Sequence, residues 1–255
     1  MRTIAVDWSG ALAGSARHIW LAEADQAGRL VRLSGGRARE QVAHDLLATM
    51  AEQSRVVIGL DFAFSFPSWY LRALGVDGGG PLWAQVAKHG ERWLRECQPP
   101  FWGRPGKRRP LLEEHFRATE RRLHQFGVKS AFQIGGAGAV GTGSIRGMPL
   151  LQRLRAGGAS IWPFDPPGWP LVVEIYPRAL TGAVIKSSAT ARRAYLAQRY
   201  PLLLESFAVL TEDAFDAAVS ALVMAEHGDE LSSLAAVDDA EARLEGRVWV
   251  PGSVS

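Results

Sequence analysis

At 255 residues, with 47% hydrophobic side chains and a net charge of +3, the chain has enough apolar material for one large α/β domain, and no apolar run approaches a membrane span. Its single cysteine, Cys97, excludes internal disulfides and any cysteine-based metal cage. Met1-Arg2-Thr3 leads straight into an apolar run, so no signal peptide is expected and the sequence reads as cytoplasmic.

The run Ile4-Ala5-Val6-Asp7 predicts a strand over 3–7, and two more are expected at 17–24 and 29–34, joined by the turn Asp25-Gln26-Ala27-Gly28. Val42, Leu46, Leu47 and Met50 fall at helical spacing within 38–54, and a second apolar strand, Val56 to Leu60, runs into Asp61. In a β-β-β-α-β order the helical crossover makes the fourth strand parallel to the first. Asp7 and Asp61 would then share one edge of the sheet. Residues 62 to about 160 interrupt the pattern with Gly78-Gly79-Gly80, a Pro-Pro turn at 99–100 and a glycine-rich stretch from Gly135 to Gly147. One amphipathic helix is predicted near 111–126, with Leu112, Phe116, Leu123 and Phe126 on its stripe and Gly127 as its stop. This block reads as an insertion folded against the acidic edge, inside a single domain spanning 1–255. Strands are expected to resume around 159–162 and 171–175, helices to occupy 189–199 and 212–226, and Val248-Trp249-Val250 to form a last short strand.

The carboxylates carry the functional signal. Asp7, Asp61 and Glu174 each end an apolar run or follow it within a residue, and Asp213 and Asp216 open a helical stretch. Ligands of open α/β sheets gather outside the carboxyl ends of strands. Acids crowded there repel one another unless divalent cations neutralise them, and hard cations take oxygen ligands. Three of the acids also have a plainer alternative. Asp7 can initiate an Asx turn. Glu174 can pair with Arg178, and Asp213 can serve the helix dipole behind a Thr211 cap. Asp61, set among Phe62, Ala63, Phe64 and Phe66, needs a compensating charge most.

Residues 88 to 129 hold eleven Lys or Arg against five Glu, a local +6 that leaves −3 for the remainder. That asymmetry suggests a basic surface offered to a polyanion, the alternative being a solvated helix face. Within 83–109, Trp83, Trp93, Phe101 and Trp102 interleave with cations; Trp83 and Trp93 are assigned to packing, and the Pro- and Gly-rich loop 99–109 to binding a nucleic-acid strand. The expected nucleic-acid contacts are Arg104, Lys107, Arg108, Arg109 and Arg146. Gly136-Ala137-Gly138-Ala139-Val140-Gly141 matches a dinucleotide fingerprint, but Gly143, Gly147 and Pro149 are expected to break the helix that the fingerprint must open. A loop offering its backbone amides and Arg146 to phosphates fits it better.

These residues together resemble the predicted ribonuclease H-like nucleases grouped as domain of unknown function 429, over nearly the whole chain. The markers are Ala5-Val6-Asp7-Trp8-Ser9-Gly10, Gly59-Leu60-Asp61 with Ser65-Phe66-Pro67, Val173-Glu174-Ile175-Tyr176-Pro177, and Asp213-Ala214-Phe215-Asp216-Ala217. Asp213 to His227 is also similar to the final helix of Holliday-junction resolvases. The resemblance implies an α/β fold: a ribonuclease H-like mixed sheet with a β-β-β-α-β start, flanked by helices, with a long insertion after the fourth strand. It places Asp7, Asp61, Asp213 and Asp216 as metal-binding acids, with Glu174 as an additional one. The expectation is a nuclease using two Mg2+ or Mn2+ ions on DNA or RNA. A catalytically silent nucleic-acid-binding or scaffold protein is the alternative. An actin-like-superfamily phosphotransferase is a further one, and it requires a second β-β-β-α-β unit.

Overall fold

The computed structural model describes residues 1–107, 112–204 and 211–252. Its centre is a six-stranded mixed sheet flanked by helices, ordered β3-β2-β1-β4-β6-β5. Strands β1 (Arg2–Asp7), β2 (Trp20–Ala24) and β3 (Leu30–Gly35) form an antiparallel meander. Between β2 and β3 the Asp25 carbonyl accepts the Gly28 N–H at 3.0 Å, and Gly28 takes a φ of 70°, which glycine adopts without strain. Helix α1 (Arg39–Glu52) then crosses over, and β4 (Val56–Leu60) runs parallel to β1 with Val6 opposite Leu60. Strand β6 (Leu171–Glu174) lies parallel to β4 on its other side, and β5 (Ser160–Ile161) adds an edge.

Alternation along the strands divides the apolar residues into two cores. Ile4, Val6, Val56, Ile58 and Leu60 face α1, α3 (Gly79–Glu96) and α5 (Val140–Ala156). Ala5, Val57 and Val173 face α8 (Glu212–Glu226). Ala217, Ala218 and Ala221 let α8 lie close on the sheet, and at Gly59 a Cβ would stand 2.7 Å from the Met224 sulfur. The shorter helices are α2 (Ser68–Ala73), α4 (Ala118–Arg122), α6 (Pro177–Thr181), α7 (Ala189–Arg199), α9 (Gly228–Ser232) and α10 (Ala240–Glu245). No helix among the described residues is long and apolar enough to cross a membrane.

The segment 62–160 is not a separate body, because Phe66, Trp83, Phe132 and Met148 belong to the same core as Val6 and Ile58. Three expectations fail within it. The single helix over 111–126 is instead a 3-10 turn, Glu113–His115, then α4, then a second 3-10 turn, His124–Phe126. The break falls at Arg117, which takes an extended backbone so that its guanidinium turns into the interior. Second, α5 runs unbroken through Gly143, Gly147 and Pro149. Packing overrides poor propensity there: a Cβ on Gly141 would collide with the Ala131 carbonyl, and one on Gly147 would stand 2.7 Å from the Phe62 ring. Third, Phe101 and Trp102 of the loop 99–109 are buried against Phe132. Near the C-terminus, the strand expected at 248–250 is reduced to a single bridge between Val248 and Glu174.

Candidate functional site

The β1–β4 register sets Asp7 beside Asp61, with the Asp61 N–H donating to the Val6 carbonyl at 3.1 Å. The two carboxyls stand close enough to perturb each other's titration. Thr211 caps α8, its hydroxyl accepting the Ala214 N–H at 3.0 Å, and the helix brings Asp216 to the same place from the other layer. Asp216 is only 8% exposed, whereas Asp7 and Asp61 keep part of their surface toward solvent.

Crowding perturbs all three acids in one direction. Burial pushes Asp7 well above the usual carboxylate range, and Asp61, Asp216 and Asp213 push it further. Burial and Asp216 raise Asp61 to about 7. Burial raises Asp216 to about 6 against the opposing pull of Lys186. The Lys186 ammonium donates to Asp216 Oδ2, and Oδ1 of the same carboxylate is buried with no hydrogen-bond partner. Asp213 sits one turn earlier, a third exposed, with its Oδ2 3.1 Å from His18 Nδ1.

Glu174 lies opposite Leu60, one residue short of Asp61, yet it is engaged elsewhere. Its Oε1 accepts Arg117 Nη2 at 2.5 Å, and its Oε2 accepts Arg117 Nη1 and the Phe64 N–H, both at 2.9 Å. Arg117 is 1% exposed and also donates to Glu120 and to the Glu245 carbonyl. Burial alone would lower the guanidinium pKa, but Glu174 and Glu120 outweigh it and keep the group charged. Arg178, the partner expected for Glu174, donates instead to the Val184 carbonyl at 2.6 Å. Glu174 thus stands as an anchor for the backbone that follows Asp61.

The expected nucleic-acid contacts separate into three groups. Arg104 and Lys107 are exposed on a tight turn closed by the Lys107 N–H on the Arg104 carbonyl at 2.9 Å. Arg108 and Arg109 lie outside the described residues. Arg146 is not offered to a phosphate: it grips Glu91 with two hydrogen bonds of 2.7 and 3.0 Å, donates to the Gly10 carbonyl, and has a side chain 9% exposed. Part of the phosphate cradle expected before it is closed as well. The N–H groups of Val140, Gly141 and Thr142 already bond the carbonyls of Gly138, Gln133 and Ala139.

Comparison with known proteins finds no match, whether to a family model, a curated protein or a solved structure. The chemistry of the site therefore rests on its own side chains. The donors that Asp7, Asp61 and Asp216 offer are all carboxylate oxygens, which suits Mg2+ or Mn2+ and not a softer metal. As placed, no three acidic, histidine or cysteine side chains among the described residues form a metal-holding group. One ammonium stands among the three carboxylates, and closing them on an ion requires Lys186 to release Asp216. The unpartnered Asp216 oxygen is the free donor such an ion would find.

Sequence reasoning missed Lys186 and Arg117. Lys186 lies 30 residues before Asp216 in a stretch with no motif of its own. Arg117 is hidden in a basic run; its one signal is that a glutamate within a buried strand demands a cation.

Proposed function

We infer that the chain is a magnesium- or manganese-dependent nuclease that hydrolyses phosphodiester bonds of DNA or RNA, with Asp7, Asp61 and Asp216 holding two ions. The observation that carries this reading is the meeting of three carboxylates from β1, β4 and α8, all pushed toward protonation, with one oxygen of Asp216 left without a partner. The β-β-β-α-β start and the mixed sheet agree with the ribonuclease H-like resemblance. Bound there, the ions would activate a water and stabilise the leaving oxygen.

The chain's own residues do the positioning. Asp7, at the end of the β1 strand between β2 and β4, feels the charges of both Asp61 and Asp216 and would be the residue shared by the two ions. Glu174 fixes the chain beyond Asp61 through the Phe64 N–H, with Arg117 holding both its oxygens. Asp213, at the rim, is a further oxygen donor if His18 releases it. The exposed Arg104 and Lys107 supply the sequence-independent attraction for phosphates.

The Lys186–Asp216 ion pair favours a second reading, a nucleic-acid-binding or scaffold protein whose acids are compensated internally. A cleavage screen over single-stranded, duplex, hybrid and branched substrates with magnesium and manganese decides between them. The nuclease reading expects metal-dependent cleavage that Asp7→Asn abolishes. Salt-sensitive binding with no cleavage of any substrate supports the second reading. The phosphotransferase alternative is not advanced, because the described residues hold one sheet with one β-β-β-α-β unit.

A further inference from the structure

We propose that the cavity beside Asp61 is a nucleoside slot. It receives one unpaired base of the substrate strand, so the protein acts on single-stranded or frayed nucleic acid and not on closed duplex. The reaction named here rests on the nuclease reading; the slot itself does not.

The cavity holds about 200 Å3 and is walled by Trp8, Phe62, Val128, Val140, Ile175 and Val248. That is below the roughly 300–1,000 Å3 of pockets that enclose drug-sized ligands, so it admits one ring system and not a stacked pair. The buried charges that also reach it, Arg117, Glu120 and Glu174, satisfy one another. Of the remaining lining groups, Asp61 belongs to the acid cluster, and Lys129 is an exposed cation with no ion-pair partner among the described residues. Apolar walls, a neighbouring cation and an adjoining metal-type acid are what a base attached to a reacting phosphate requires.

Two further observations point to a ligand. Trp8 is 9% exposed, and its indole N–H is buried without a hydrogen-bond partner. Buried tryptophan donors are normally satisfied. The second concerns glycines in α5. Gly141 and Gly147 are excused by packing, since a side chain on either would collide with the Ala131 carbonyl or the Phe62 ring. Gly143, which lines the cavity, is not excused: a Cβ there would meet nothing closer than 3.9 Å, at the Gly10 nitrogen and Trp8 Cδ1. A glycine inside a helix weakens it relative to alanine. What the missing side chain leaves is room, beside the orphaned indole.

The test titrates thymidine 5′-monophosphate, adenosine 5′-monophosphate and ribose 5-phosphate into the full chain by calorimetry, with magnesium and again in EDTA. Both nucleotides should bind about ten-fold or more tightly than the sugar phosphate, the margin that stacking of one base supplies. Gly143→Leu should erase that margin and Gly143→Ala should keep it. Equal binding of nucleotide and sugar phosphate, or no saturable nucleotide binding in either buffer, overturns the proposal. So does a margin that survives in folded Gly143→Leu. Should Gly143→Leu fail to fold, Trp8→Phe takes its place: it keeps a ring and removes the N–H, and it should cut the margin several-fold, with an unchanged margin overturning the slot. The two readings fail separately. A base-dependent margin without cleavage of any substrate upholds the slot and sinks the nuclease. Cleavage abolished by Asp61→Asn but equal on single strands and closed duplex upholds the nuclease and sinks the slot.

Discussion

Raising the pH of the metal-free protein should destabilise it, and divalent metal should reverse the loss. Asp61 has an ordinary value of 3.8 and a folded value of about 7. Between those limits the folded chain keeps a proton that the unfolded chain has released, so the native state binds more protons and stability falls as pH rises through about 4 to 7. At about 1.4 kcal/mol per pH unit the ceiling for Asp61 is on the order of 4 kcal/mol. Asp216, raised to about 6, acts in the same direction, but the acids repel one another and titrate jointly, so the two contributions do not add. For a chain of this size, a loss of about 4 kcal/mol corresponds to a fall in Tm of roughly 8–16 °C. Thermal melts in EDTA between about pH 4 and pH 8 would measure it. Millimolar manganese at the upper end should recover most of the fall, and Asp61→Asn should reduce the slope in EDTA, leaving the part that Asp7 and Asp216 contribute. A metal-free Tm that stays level across the range, or a fall that manganese leaves untouched, would refute the reasoning.

Arg117→Ala should cost about 3–5 kcal/mol in urea unfolding, because it strands Glu174 and Glu120 as unpaired buried charges. Glu174→Gln should lower stability while leaving manganese stoichiometry unchanged in calorimetric titration; loss of an ion would return Glu174 to the ligand set. Lys186→Ala removes the ammonium that competes for Asp216, so manganese affinity measured the same way should rise several-fold while the metal-free Tm falls. Replacing Arg104 and Lys107 with Ala should weaken single-strand binding and reduce its salt slope by about 0.7 for each phosphate no longer neutralised, with turnover at saturating substrate preserved.

The strands β1 and β4 and the pairing of Asp7 with Asp61 are legible in the sequence because they follow from local rules. Val56 to Leu60 is wholly apolar, and a helix between two strands enforces parallel pairing. The capped helix at 212–226 is legible for the same reason: Thr211 and the alanines announce its start and its close packing. What escapes is set by distant partners. Glu174 meets Arg117 across 57 residues, and no spacing rule links them. Helix α4 breaks where it does because that arginine must turn inward, which overrides the apolar stripe from Leu112 to Phe126. The glycines of α5 look like breakers in isolation, and their purpose is visible only once Phe62 and the Ala131 carbonyl are seen against the helix. The glycine-rich surroundings of Arg146 suggest a phosphate ligand, and Glu91 on α3 claims it instead.

The central claim is that Asp7, Asp61 and Asp216 hold metal, and counting bound manganese by electron paramagnetic resonance tests it most directly. Wild-type protein at neutral pH should bind two ions saturably. Asp7→Asn should lose both, because that residue is assigned the bridging position, and Asp216→Asn should lose one. Wild-type protein that binds no manganese at millimolar concentration, or whose bound ions survive Asp7→Asn, would contradict the account.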